Sequence, residues 1–274
     1  MRKKILIALD LEGVNNVVGE AYSGLYKGCA EWEKARRQAA LEINAAAEAL
    51  FDAGALCVDL WDNHAGGGNI DVADLDSRVK LLEVDNELPR MYFAPEYDCI
   101  CYFGYHAMEG TLGGVLAHTM NSSMNQYYKL NGKYIGEIDM DAYIAASHGL
   151  PSCFFAGGDI ACAQAKRAVP GIVTVVTKTE LSRNEAVFRD NKELLEDIKV
   201  GIANAVEEAD APCRLQYPSV MEKSFKRVED AAKYIDRIRA CGICADYLCD
   251  DVLGKDAHTV VCNVNNILEF ITCI

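Results

Sequence analysis

Positive charge is scarce in this chain. Only 27 Lys and Arg stand against 41 Asp and Glu, leaving a net charge of −14 and a pI near 4.8. A surface of that sign repels phosphate backbones, which argues against nucleic acid as a partner. Long apolar runs are also missing: none approaches the ~18 residues needed to cross a bilayer, so no membrane role is expected. Blocks of like charge and low-complexity tracts are absent, which excludes long disordered tails. The start, MRKKILIALDLEGV, is basic, but its apolar run is broken by Asp10 and Glu12 and no small-residue cleavage site follows, so export is not expected. A second CxxC is lacking beside CGIC at Cys241–Cys244, and no histidine lies close to it, so that stretch reads as a helix closed by Gly242 and followed by a buried strand. The 12 cysteines are scattered, mostly through apolar segments, and read as reduced thiols of a cytoplasmic protein.

What is present is a globular composition, 51% hydrophobic and 25% charged, over 274 residues, enough for one domain or two. Apolar runs alternate with helical patterns. KKILIALD, ALCVDLWDNH, YDCICYFGYHA, PSCFFAGGD and IVTVVT read as strands. EWEKARRQAALEINAAAEALFDAG, IACAQAKRAV and NKELLEDIKVGIANAVEEAD read as helices, the first closed by Gly54. NGKYIGEIDMDAY suggests a hairpin turn at Asn131-Gly132, then a short strand and a helix. This rhythm predicts an α/β fold: a largely parallel sheet flanked by helices, with a second, smaller α/β region. Asp210–Pro212 marks the expected boundary, dividing a catalytic region, 1–210, from a βαββα region, 211–274; the alternative is an ordinary loop within one intertwined domain.

The polar residues carry the functional signal. In parallel α/β sheets, ligands bind beyond the carboxyl ends of the strands. Three predicted strands end in ALDLEG, LWDNH and YFGYH, which offer Asp10, Glu12, Asp62, His64 and His106. A fourth stretch, YIGEIDMDAY, adds Glu137, Asp139 and Asp141. Asp10 and Glu12 lie two positions apart, on the same side of an extended chain, and repel each other unless a cation stands between them. Taken singly, each residue has an ordinary reading: a strand-end turn, a loop histidine, a hydrogen-bonded core histidine. Taken jointly they weigh more, since three of only five histidines, His64, His106 and His118, fall at such places; His148 and His258 read as structural. Mixed carboxylate and imidazole ligands suit Zn²⁺, Mn²⁺ or Fe²⁺. The Gly66–Gly68 run lacks a following GK[ST], and no GxGxxG opens the first βα turn, so it reads as an active-site loop.

Here the residues resemble a known family. LDLEGV, DNHAGGGN, FGYHAMEGTLGGVLAHTM, NGKYIGEIDMDAY, AGGD and TKTELSR run in the order of the DppA-type D-aminopeptidases, over roughly residues 5–185. The resemblance implies two zinc ions held by Asp10, Glu12, His64, His106 and Glu137, with Asp10 bridging them and His118 as the further catalytic residue. It also implies an α/β domain with a smaller second one, assembled as a ring-like homodecamer.

Such a site suits hydrolysis. Two divalent ions ~3.5–4 Å apart can hold a hydroxide and polarise a scissile carbonyl. His118 is then placed to serve as general acid or base, or to steady the oxyanion. Lys178 and Arg183, in TKTELSR, are candidates to bind a peptide carboxylate, with surface or capping charges as the alternative. Asp139 and Asp141 are expected to face solvent in preference to a substrate amine. The expected function is a metal-dependent aminopeptidase acting on short peptides, with D-configured peptides as candidate substrates. The alternatives are an amidohydrolase or deaminase for another small amide, and a non-catalytic oligomeric homologue.

Overall fold

A computed structural model describes residues 3–21, 24–207 and 214–274. The boundary expected at Asp210–Pro212 lies outside the described residues.

The N-terminal strand, β1 (Lys4–Leu9), is apolar on both faces and is the start of a sheet that is buried on both sides. It leads through α1 (Ala30–Asp52) to β2 (Cys57–Asp62), β3 (Val79–Leu81) and β4 (Cys99–Tyr105). The chain then forms a hairpin, β5 (Asn125–Leu130) and β6 (Lys133–Tyr134), whose turn holds Asn131 and Gly132 at φ 50° and 77°. Next come α2 (Glu137–Ser147), β7 (Ser152–Gly157), α3 (Asp159–Ala168) and β8 (Val173–Val176). A second hairpin, β9 (Lys178–Ser182) and β10 (Glu185–Phe188), precedes α4 (Asn191–Glu207). The C-terminal part is β11 (Ser219–Phe225), α5 (Val228–Ala240), β12 (Ala245–Asp250), β13 (Gly254–Val264) and α6 (Ile267–Cys273).

Six strands form a parallel sheet in the order β3-β2-β1-β4-β7-β8. Ile5, Ile7 and Leu9 point to the face covered by α1 and α4, together with Val58, Leu60 and Phe103. Leu6, Ala8, Ile100 and Tyr102 point the other way, into a core shared with α2, α3 and a second sheet. That second sheet is antiparallel, in the order β12-β13-β11-β5-β6. The hairpin 125–134 therefore pairs with the C-terminal strands, and the two layers interleave along the chain. α1 begins on Cys29, whose Sγ accepts from the Trp32 amide at 3.3 Å, and ends before Gly54 at φ +90°. α5 stops at the CGIC stretch with Gly242 at φ +79°, and both of its cysteines are exposed; β12, expected as a buried strand, buries only Ala245.

The connection after β1 runs outward to β2 and β3, and the chain then returns to place β4 on the other side of β1. The strand order reverses between β1 and β4, which leaves a crevice at their carboxyl ends.

Candidate metal centre

The crevice is where the sequence put its carboxylates and imidazoles. Asp10 and Glu12 follow β1, His106 follows β4, and His64 follows β2 on a single 3₁₀ turn. Glu137 is the first residue of α2, where the positive end of the helix favours a carboxylate. All five are buried. They line one end of a cavity of about 1920 Å³, together with His118 on the loop after β4, save His106, which lies behind them.

Backbone contacts bring the segments this close. The Asp10 amide donates to the Phe103 carbonyl at 2.8 Å and Gly13 donates to Gly104 at 2.6 Å, so the loop after β1 lies flat against the end of β4. Side chains would prevent it: a Cβ on Gly104, at φ +69°, would overlap the Asp10 carbonyl, and one on Gly13 would overlap that of Tyr105. Lys178 fastens the loop from below. Its ammonium is fully buried and donates to the carbonyls of Glu12, Val14 and Val17 at 2.5, 3.0 and 2.6 Å. All three of its N–H groups are used, so Lys178 is a clamp under the loop and has no donor for a substrate carboxylate. Arg183 does line the cavity, and its Nη1 donates to the Ala117 carbonyl at 2.8 Å, beside His118.

Asp62 is not among the converging groups. Its carboxylate accepts from the Asn69 amide at 2.6 Å and from Asn69 Nδ2 at 2.9 Å, and Asn69 in turn holds the His64 carbonyl at 2.7 Å. The Gly66–Gly68 run between them has φ of 83°, 91° and 76°, so these glycines turn the chain and deliver His64 to the site.

His64 Nδ1 lies 2.9 Å from Asp10 Oδ1 and 3.1 Å from Glu12 Oε2. His106 Nε2 lies 3.4 Å from both Asp10 Oδ2 and Glu137 Oε1, and His118 Nε2 is 3.8 Å from Glu137 Oε1. The His106 and His118 rings stack with centroids 3.9 Å apart. Two donor groups fall within mutual reach of one ion: Asp10, Glu12 and His106, and His106, His118 and Glu137. His106 belongs to both, His118 to the second, and His64 to neither, its Nδ1 lying against Asp10 and Glu12.

Two features fit these residues to a metal. Nδ1 of His106 donates to the Ala107 carbonyl and Nδ1 of His118 to the Leu116 carbonyl, each at 2.9 Å; a carbonyl only accepts, so each ring keeps a bare Nε2 facing the carboxylates. Among the described residues, the buried Nε2 atoms of His64 and His106 have no hydrogen-bond partner. Electrostatics agrees. Burial pushes the Asp10 carboxyl up, but His106 and His64 outweigh it and hold it well below the usual range. Burial opposes charging of His64, yet Glu12 and Asp10 raise it to about 11. Glu137 is likewise pushed up by burial and drawn down further, to about 2, by His106 and His118. The pocket demands positive charge, and a divalent cation supplies it while leaving the imidazoles neutral, as ligation requires.

Asp139 and Asp141 do not face solvent. Asp139 accepts from the Gly136 amide at 2.8 Å, capping α2, and pairs with Arg167 at 2.7 Å. Asp141 has no exposed surface and pairs with Arg90. Sequence reasoning missed Arg90, which sits in an irregular stretch, NELPRMYF, with no periodicity to mark it. His148 ends α2 and His258 Nδ1 donates to the Phe225 carbonyl at 2.9 Å, both away from the crevice.

A model of the D-aminopeptidase family matches residues 3–244. The chain belongs to the D-aminopeptidase family. A D-aminopeptidase of Bacillus subtilis (strain 168) is 26% identical over 183 residues, 66% of this chain. That match spans 65% of the relative's length, just under two thirds. Among solved structures, the Zn-dependent D-aminopeptidase DppA from Bacillus subtilis, described as a self-compartmentalizing protease, superposes with a TM-score of 0.81 at 21% identity. The superposition covers 98% of this chain and 94% of that one, so the two share a fold over essentially their whole length. The family resemblance read from LDLEG, DNH, GYH and GE is thus confirmed. No helix among the described residues is long and apolar enough to cross a membrane.

Proposed function

We propose that this chain is a zinc-dependent aminopeptidase that removes the N-terminal residue of short peptides, with Asp10, Glu12, His64, His106 and Glu137 holding two ions and Asp10 between them. The observation that carries this reading is the convergence of Asp10, Glu12, His106, His118 and Glu137 within reach of common ions, with His64 Nδ1 against Asp10 and Glu12. Paired divalent ions supply a nucleophile at neutral pH and polarise the scissile carbonyl. The protein's own groups do the rest. His118 keeps its Nδ1 proton on the Leu116 carbonyl, so Nε2 is its working atom. There it takes the proton of the attacking water and returns it to the nitrogen of the leaving amine. Glu137, fixed by the Met120 amide at 2.7 Å, lies 3.4 Å from His106 Nε2 and 3.8 Å from His118 Nε2. The buried acidic end of the cavity attracts a substrate's ammonium group.

The relatives named D-aminopeptidase support D-configured substrates, and the self-compartmentalizing neighbour supports a homo-oligomer, a decamer in the reading made from the sequence. The unpaired cysteines of the described residues are in keeping with a reducing cytoplasm. The deciding experiment is elemental mass spectrometry of purified protein alongside hydrolysis of D,D- and L,L-dialanine. About two transition-metal ions per chain and turnover of dialanine are expected. His106→Ala should lose most of the metal, because its imidazole serves both donor groups, while His118→Ala, which touches one group only, should keep most of it and lose turnover. No bound metal after incubation with zinc, or turnover of simple amides alone, overturns the reading.

A further inference from the structure

An aminopeptidase that works on very short peptides has to bind the other end of its substrate too. That end is a carboxylate, and the chain's charge of −14 and the acidic pocket both repel it. A cation must therefore stand across the cavity from the carboxylates. Of the residues that TKTELSR suggested for this task, Lys178 spends its donors on carbonyls, while Arg183 lines the cavity with one N–H on the Ala117 carbonyl and, among the described residues, has no carboxylate to fix the plane of its guanidinium.

We propose that Arg90 is the anchor for the substrate's free C-terminal carboxylate. This inference rests on the peptidase reading above. Arg90 lines the same cavity as Asp10, Glu12, His64, His118 and Glu137. It is held from behind. Nε donates to Asp141 Oδ1 at 2.6 Å and Nη2 to Oδ2 at 2.8 Å, a forked pair that fixes the plane of the guanidinium. The Trp61 ring packs 4.7 Å from its central carbon. Asp141 is itself fixed by the Tyr105 hydroxyl at 2.7 Å, and that hydroxyl accepts from Asn63 Nδ2 at 3.2 Å.

A guanidinium has five N–H groups and two edges that match a carboxylate. Asp141 occupies one edge. The other, formed by Nη1 and the second N–H of Nη2, has no acceptor among the described residues, and the side chain is 18% exposed, onto the cavity. A buried carboxylate behind and an open edge in front is a preorganised receptor for a second carboxylate, since the ordering of the arginine is already done before substrate arrives.

The spacing favours a short substrate. Asp141 lies four residues after Glu137, on the same face of α2 and about one turn, 5.4 Å, further along it. The guanidinium that Asp141 fixes thus stands on the same side of the cavity as Glu137, and extended peptide, advancing roughly 3.3–3.6 Å per residue, links the two over a short span. The anchor therefore favours short peptides with a free carboxyl end over their C-terminal amides.

The test compares dialanine, D,D and L,L, with the corresponding C-terminal amides, in the metal-loaded protein and in Arg90→Gln and Arg90→Lys. The wild-type protein should prefer the acids. Arg90→Gln should lower kcat/KM for the acid by about 10- to 100-fold, chiefly through KM, as expected for losing a hydrogen-bonded charge pair. Its kcat/KM for the amide should change by less than about twofold. Arg90→Lys, which keeps the charge beside Asp141 but loses the fork, should fall between. Should Arg90→Gln fail to fold with Asp141 left bare, the double variant R90Q/D141N reads out the same ratio. An acid-to-amide ratio that is flat in the wild-type protein, or unmoved in the variants, overturns the role of Arg90 and leaves the peptidase standing. No turnover of any of the peptides by the wild-type protein overturns the peptidase reading, and the anchor with it.

Discussion

A histidine becomes a ligand or a base through what its second nitrogen does. In His106 and His118 that nitrogen is spent on the carbonyls of Ala107 and Leu116, so neither ring can turn its bare Nε2 away from the carboxylates without leaving a donor unpaired. Glu42 shows the opposite situation, a buried acid with too few partners. Its Oε1 accepts from the Asn15 amide at 2.9 Å and Gln38 Nε2 at 3.0 Å, while Oε2 has none among the described residues. Burial outweighs those bonds and pushes its pKa from 4.5 up to about 7. Between those values the folded protein keeps a proton that the unfolded chain has released, so stability falls as pH rises through that window. Glu42→Gln removes the dependence. At 1.36 kcal/mol per unit, the variant should gain about 3 kcal/mol on the wild-type protein between pH 4 and pH 8. Urea unfolding of both proteins at those two pH values checks it; a gap that does not widen with pH would show that Glu42 stays ionised.

At the scale of elements, the site depends on a loop pressed onto the end of a strand. Residues 10–17 leave β1, cross β4 at the Gly13–Gly104 contact, and rest on the Lys178 ammonium at the start of β9. Lys178→Met keeps most of the volume but leaves three buried carbonyls without their donor, each at a cost of about 1–3 kcal/mol. The expected loss of thermal stability is on the order of 10 °C. Metal affinity should fall with it, because Glu12 sits in that loop, and calorimetry with zinc titration measures both. Gly104→Ala should be worse, since the added methyl meets backbone and the φ is positive. Insoluble or metal-free protein is the expected result, and a variant that folds and binds zinc normally would show that the loop can lift off the strand.

At the scale of the whole molecule, the site sits where the strand order reverses between β1 and β4, and the second sheet closes the cavity on its far side. β5 and β11 pair in that sheet, so Tyr128 and Lys223, which stand opposite each other in it, both line the cavity, with the Lys223 ammonium donating to the Ile274 carbonyl at 2.8 Å. Exposed Leu112, Val252 and Leu253 add apolar surface on loops. If the chain forms a ring as proposed, light scattering in solution should return a mass about ten times the 30.0 kDa of one chain. A mass of one chain would rule out assembly, leaving the chemistry of the crevice untouched.

Much of this was written in the order of residues. The unbroken apolar runs of β1 and β4 mark doubly buried parallel strands, and the acids and histidines just after them mark the crevice, because both follow from local patterns of period and polarity. The hairpin at Asn131-Gly132 and the end of α1 at Gly54 are legible for the same reason: a positive φ needs particular residues. Other roles depend on neighbours far away in the chain. Lys178 in TKTELSR looks like a surface cation until the fold places carbonyls of Glu12, Val14 and Val17 around it. Asp141 looks solvated until Arg90, 51 residues earlier, is brought against it. The sequence by itself thus determined the pool of groups from which the crevice draws, and the segments on which they ride, with Asp62, Asp139 and Asp141 among those the fold spends elsewhere. Only the tertiary structure decided which charges work in the open and which are spent inside, because a buried charge is defined by the partners that folding brings to it.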